Sequence, residues 1–231
     1  MDDAQTEAAG RLAAVQARID AAARDAGRNA RNVELIAVSK THDTAAIRPF
    51  LAAGHRSFGE NRVQEAAAKW PALRSAYPGV VLHLVGQLQS NKAADAIALF
   101  DVIHSVDRPS LVDALARAVA SAGRRPDCYL QVDIGSEPQK GGCAIADLPV
   151  LLARARTAGL PVVGLMAVPP AGIEAAPFFA LLAKLAGDHG LARLSMGMSD
   201  DFDTAVLLGA TAVRVGSVLF GARGSPPAGP A

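Results

Sequence analysis

In the stretch Val33-Glu34-Leu35-Ile36-Ala37-Val38-Ser39-Lys40-Thr41 an apolar, strand-forming run ends abruptly in a lysine. Such a run reads as a buried strand. If the strand belongs to a parallel sheet with helices outside it, its carboxyl end opens onto the face where such folds place their chemistry, and Lys40 stands at the mouth of a site. On position alone the plain reading of a lysine is a solvated surface charge. The sharper reading is a Schiff-base lysine, because partial desolvation makes an ammonium release its proton more readily and frees the amine to attack an aldehyde.

Upstream, Ala8, Leu12, Val15, Ile19, Ala22 and Ala26 mark one face of an amphipathic helix from Ala4 to Ala26, stopped by Gly27. Downstream, strands and helices alternate. Asp43 caps a helix that Pro49 kinks or delays, and the block His55 to Asn61 forms a strand leading into a helix from Arg62 to Trp70, which Pro71 interrupts. Further strands are expected at Val80–Val85, Asp101–Val106, Cys128–Ile134, Pro161–Val168, Leu191–Met196 and Ala212–Val215. The intervening helices are capped by Asp107 or Ser110 after the fourth strand and by Ser199 or an aspartate after the seventh. The loop Gly135 to Gly142 is long and glycine-rich enough to move.

Eight such units predict an α/β fold, a single (β/α)8 TIM barrel with an extra N-terminal helix, over residues 1–223. The Pro/Gly-rich residues 224–231 are expected to form a disordered tail. An open doubly wound sheet is the runner-up, but no dinucleotide-type glycine fingerprint follows the first strand.

Composition narrows the partners. With 231 residues, 51% of them hydrophobic, the chain can bury a large core, and its formal net charge of +1 gives no sign of a nucleic-acid partner. Acidic residues at the start and the lack of a long apolar run predict no membrane segment and a cytoplasmic location. Cys128 and Cys143 lack metal-ligand spacing, are too few for a disulfide framework and read as reduced core or near-surface residues, so no metal is expected.

A barrel commonly binds phosphate between the loops after strands seven and eight. Here those loops carry Met196-Gly197-Met198-Ser199-Asp200 and Arg214-Val215-Gly216-Ser217. Taken singly, Ser199 is an N-cap and Gly216 an ordinary turn. With a lysine after strand one, they suit an aldehyde that carries a phosphate, and pyridoxal 5'-phosphate has both groups.

The chain also resembles a known family, the pyridoxal phosphate homeostasis proteins, whose fold is similar to the N-terminal barrel of alanine racemase. The resemblance is carried by Ala37-Val38-Ser39-Lys40-Thr41, Phe58-Gly59-Glu60-Asn61 with Val63-Gln64-Glu65, His83 through Gly86, and Gln89-Ser90-Asn91-Lys92. It continues through Gly164-Leu165-Met166-Ala167, Ser195 through Asp201, and Arg214-Val215-Gly216 with Phe220-Gly221-Ala222-Arg223. It implies that Lys40 holds the cofactor as a Schiff base with Asn61 beside it. It further implies that Ser199, Gly216 and Ser217 hold the phosphate and that Arg214 faces the pyridine nitrogen. Met166 packs on the ring in this reading and fills the core in the plain one. His83, in mid-strand, reads as a hydrogen-bonded core residue. Asn91 and Lys92 either line the mouth or simply open a solvated helix.

Three functions compete. A non-catalytic, monomeric carrier would bind, buffer and transfer the cofactor to apoenzymes. A racemase or related enzyme would need a second proton donor, which alanine racemase takes from a tyrosine on another domain. An aldolase-like barrel would use Lys40 without cofactor. The resemblance favours the carrier.

Overall fold

The computed structural model describes residues 3–221. Eight strands, β1 (Glu34–Val38), β2 (Ser57–Glu60), β3 (Val81–Leu84), β4 (Val102–Val106), β5 (Asp127–Gln131), β6 (Val162–Met166), β7 (Arg193–Ser195) and β8 (Ala212–Val215), pair in parallel and in sequence order. The sheet closes where β1 meets β8, with Ile36 beside Arg214 and Ala37 beside Val215. β1 is buried along four of its five residues and β4 along all five, as expected for strands with helices outside and packed side chains within.

The outer layer comprises α2 (Thr44–Ala52), α3 (Val63–Ala76), α4 (Ala93–Leu99), α5 (Pro109–Ala122), α6 (Leu148–Thr157), α7 (Ala176–Asp188) and α8 (Phe202–Leu207), with a single turn, α9 (Ser217–Phe220), after β8. The leading helix α1 (Asp3–Asp25) packs against α2 and α8 over the seam where the barrel closes. Val15 and Ile19 are fully buried there, each worth about 1.5–3 kcal/mol in removed apolar surface. Arg28, just past α1, donates to the carbonyls of Gly209 and Ala210 and so ties the front of the chain to the start of β8.

Several local expectations need correction. Neither Pro49 nor Pro71 breaks its helix. The carbonyl that Pro71 deprives of a partner belongs to Ala67, an exposed residue, so water can satisfy it. α5 begins with Pro109 after Arg108 and has no side-chain cap, because Asp107 instead accepts from Arg108 and from the Gly142 amide. β5 ends at Gln131, since Val132 pairs in an isolated bridge with Cys143 and the Asp133 amide donates to the Cys143 carbonyl. The loop from Gly135 to Gly142 is thereby drawn back onto the strand. The expected tail at 224–231, and Ala222-Arg223 of the motif, lie outside the described residues.

Candidate functional site

The turn after β1 is held from below by a buried ion cluster. Lys69 on α3 places Nζ 2.8 Å from Glu60 Oε1 and from Glu65 Oε1, and donates to the carbonyls of Ser39 (3.1 Å) and His42 (3.0 Å). Glu60 also accepts from Ser39 Oγ (2.7 Å) and Trp70 Nε1 (3.0 Å). Thr41, at φ 66°, occupies the left-handed region and donates its amide to Glu65 Oε1 at 2.6 Å. A threonine at positive φ is strained, so this clamp fixes the direction in which the residue before it leaves the strand.

That residue is Lys40, half-buried and with no hydrogen-bond or ion-pair partner among the described residues. The sequence contains five lysines, and the other four each meet a carboxylate: Lys69 as above, Lys92 with Asp95, Lys140 with Glu137 and Lys184 with Asp188. Lys40 instead lines a cleft of about 410 Å³ at the carboxyl ends of the strands.

Asn61, Ser199, Arg214, Gly216 and Ser217 line the same cleft. Asn61 is set by the loop after β3, where Gly86 comes so close that a Cβ would lie 2.3 Å from the Asn61 carbonyl oxygen. The loops after β7 and β8 lie side by side, with the Gly216 amide donating to Ser199 Oγ at 3.3 Å. Ser199 is therefore not the cap of α8; Asp201 occupies that position, and its carboxylate turns back to accept from the Met198 amide at 2.6 Å. Gly197 holds this turn at φ 90°, and a Cβ there would lie 2.5 Å from that of Ala205. The amides of Ser199, Asp200 and Ser217 find no acceptor among the described residues, nor do the side chains of Asn61 and Ser217.

Arg214, 5% exposed, completes this surface. Its Nη1 donates to Ser195 Oγ (2.6 Å) and its Nη2 to the Ala167 carbonyl (2.9 Å). Burial lowers its pKa to about 10, with Asp201 and Tyr129 acting in the opposite direction, so it remains a cation at neutral pH. Lys40 and Arg214 thus face a cleft rich in unengaged donors, an environment that suits an anionic ligand.

Other residues fall elsewhere. Met166 lies in an interior cluster with Val102 and Tyr129 and does not line the cleft. Lys92 pairs with Asp95 outside it, and Lys140 donates to the Pro169 carbonyl. His83 is buried and hydrogen-bonded to Ser57 and His104. Burial pushes the Cys128 and Cys143 thiols up to about 12. A hollow of about 500 Å³ at the opposite end of the barrel, near Gln16, Glu34 and His55, lacks such a convergence of free donors.

Lys69 and His42 were not singled out from the sequence, and Glu65 entered only as part of a family motif, without a role. Glu65 and Lys69 carried a local signal, an acidic residue four positions before a basic one on a helix. Their grip on the β1 turn is tertiary and has no such signal. His42 lines the cleft and stacks on Phe220 with ring centroids 4.8 Å apart. Burial, and then Lys69, hold its imidazole below the ordinary range.

The fold and the lysine at its mouth define a class, the barrel that forms the first domain of alanine racemase: the family model "Alanine racemase, N-terminal domain" matches residues 11–224. A pyridoxal phosphate homeostasis protein of Pseudomonas aeruginosa is 43% identical over 92% of this chain and 94% of its own length. Another, of Deinococcus radiodurans, is 44% identical over 90% and 98%. Among solved structures, PipY of Synechococcus elongatus with PLP bound superposes with a TM-score of 0.81 at 41% identity, covering 93% of this chain and all of that one. Within the class, the chain belongs to the pyridoxal phosphate homeostasis protein family.

Proposed function

We propose that this protein binds pyridoxal 5'-phosphate as a Schiff base on Lys40 and serves to buffer the cofactor and pass it to apoenzymes. The observation that carries the reading is that Lys40, the one lysine without a carboxylate partner among the described residues, shares a cleft with the unengaged amides of the loops after β7 and β8. Relatives named for pyridoxal phosphate homeostasis, and the PLP-bound PipY structure, support it.

When bound, the cofactor supplies an aldehyde, which condenses with a free amine by losing water, and a phosphate. Lys40 provides the amine, set at the strand end by the Lys69 cluster. Ser199, Gly216 and Ser217 would hold the phosphate through amides and hydroxyls. Asn61, in the same cleft as Lys40, would lie beside the bound group. Arg214 would face the pyridine nitrogen, where a fixed cation would disfavour protonation and weaken the ring as an electron sink. Met166 supports the barrel interior and is assigned no direct contact.

The same arrangement argues against amino-acid racemisation. The sequence has two tyrosines, and neither lines the cleft: Tyr129 is buried against His104, and Tyr77 ends α3 beside Arg56. His42 arises from the same turn as Lys40. Among the described residues the one carboxyl group lining the cleft is that of Asp200, in the loop after β7 beside the proposed phosphate turn, and no tyrosine lines it to return a proton to the opposite face; one such partner is typically worth about 10²–10⁴-fold in rate.

The deciding assay incubates single enantiomers of alanine and other amino acids with cofactor-loaded protein and follows their chirality, alongside reactivation of an apoenzyme. The carrier reading expects reactivation and negligible racemisation. Racemisation at roughly one turnover per second or faster, abolished by Lys40→Ala, would refute it.

A further inference from the structure

A column of hydrogen bonds runs through the barrel interior from Arg214 to the opposite face. Beyond the Arg214–Ser195 bond, Ser195 Oγ lies 2.8 Å from His104 Nδ1, and His104 Nε2 lies 3.0 Å from His83 Nδ1. His83 Nε2 lies 3.1 Å from Ser57 Oγ and 3.3 Å from Glu34 Oε1, to which Ser57 Oγ donates at 2.9 Å. Ser195, His104 and His83 are at most 1% exposed, whereas the Glu34 side chain, at the start of β1, is 41% exposed.

The two ends dictate the direction of the chain. A guanidinium can only donate and a carboxylate can only accept. Glu34 takes the Ser57 proton, so the His83 nitrogen that faces both Ser57 Oγ and Glu34 must carry the other. At the other end Ser195 Oγ accepts from Arg214, so its own proton goes to its remaining partner, His104 Nδ1; His104 then donates from Nε2 to His83 Nδ1. Burial, with the Arg214 cation adding to it, holds His104 well below the ordinary imidazole range, which keeps it neutral. Desolvation pushes the Glu34 carboxyl up, but hydrogen bonds from His83 and Ser57, with the charge of Arg193, outweigh it and keep Glu34 an anion.

We propose that Glu34, at the far end of the barrel, orients Arg214 through this column. It fixes both imidazoles as Nε2–H tautomers and so keeps Ser195 an acceptor toward the guanidinium. Two guanidinium nitrogens are thereby tied inward, to Ser195 and Ala167, while the remaining N–H groups are presented to the cleft. Reversing the column would bring a second donor to Ser195 Oγ and leave its hydroxyl proton without an acceptor, loosening the grip on Arg214. Glu34, His83, His104 and Ser195 are thus positioning residues. What Arg214 then touches rests on the cofactor reading above; the direction of the column does not.

Nitrogen NMR of histidine-labelled, ligand-free protein tests the column directly. At neutral pH both His83 and His104 should be Nε2–H, and Glu34→Leu, a change at the rim rather than in the core, should give His104 a substantial Nδ1–H population. Glu34→Gln, which keeps a neutral acceptor oxygen, should restore the wild-type pattern. On addition of pyridoxal phosphate, the visible absorption maximum should shift in Glu34→Leu and return in Glu34→Gln. His104 found as Nδ1–H in the wild type, or unchanged in Glu34→Leu, would overturn the proposal. A wild-type protein that takes up no chromophore would refute the cofactor reading, while the tautomers seen by NMR would still decide the direction of the column.

Discussion

Lys40 stands out because of what surrounds it more than because of where it sits. A strand-end lysine was readable from the sequence, since the apolar run stops at Ser39 and the next side chain has to emerge at the mouth. The clamp of Lys69, Glu60 and Glu65 was not readable, because its bonds join α3 to a turn some thirty residues earlier in the chain. The same contrast holds at Gly216. Its residue type suggested a close approach, but the neighbour approached is the Val38 carbonyl, 3.3 Å from where a Cβ would lie. Gly216→Val should therefore press its branches into both the strand and the cleft. Equilibrium titration with pyridoxal phosphate should show affinity at least about tenfold weaker, roughly 1.4 kcal/mol. Unchanged affinity would remove the β8 loop from the site.

At the scale of elements, the alternation of strand and helix was legible because helix stops such as Gly27, Gly54 and Gly123 punctuate it, and all three adopt positive φ. Helix interruption at Pro71 was not, since burial decides whether a broken bond can be left to water, and burial is a property of the assembled barrel. This has a measurable consequence. Pro71 is exposed in the interior of α3, where proline is disfavoured by up to about 3 kcal/mol relative to alanine. Pro71→Ala should raise the unfolding free energy in urea by about 1–3 kcal/mol. A loss of stability would show that the ring makes a contact that outweighs its backbone cost.

For the whole molecule, closure of eight strands in sequence order brings Lys40, Asn61 and Arg214 from three strand ends to one cleft. The same closure lines the interior with a polar column that no local pattern announces, because its members come from β1, β2, β3, β4, β7 and β8. Burial there sets the acid response. His104, His42 and His55 are each lowered from the ordinary 6.5, so in the window below that value the unfolded chain binds protons that the folded chain refuses. Unfolding free energy should accordingly fall as pH drops from about 6.5 toward 5, by up to about 1.4 kcal/mol per pH unit for each proton taken up. The lowered carboxylates Glu34 and Glu65 lose their contribution only further down, below about 4.5. A stability flat from pH 7 to 5 would contradict neutral burial of the imidazoles. The central claim, that this barrel holds its cofactor on Lys40, is tested most directly by the visible spectrum of pyridoxal phosphate-loaded protein before and after borohydride, with peptide mass mapping of the reduced adduct. A visible band that borohydride removes, a single adduct on the peptide containing Lys40, and neither in Lys40→Ala are expected; an adduct confined to Lys92 or Lys140, or a band that survives in Lys40→Ala, would rule out Lys40 as the attachment point.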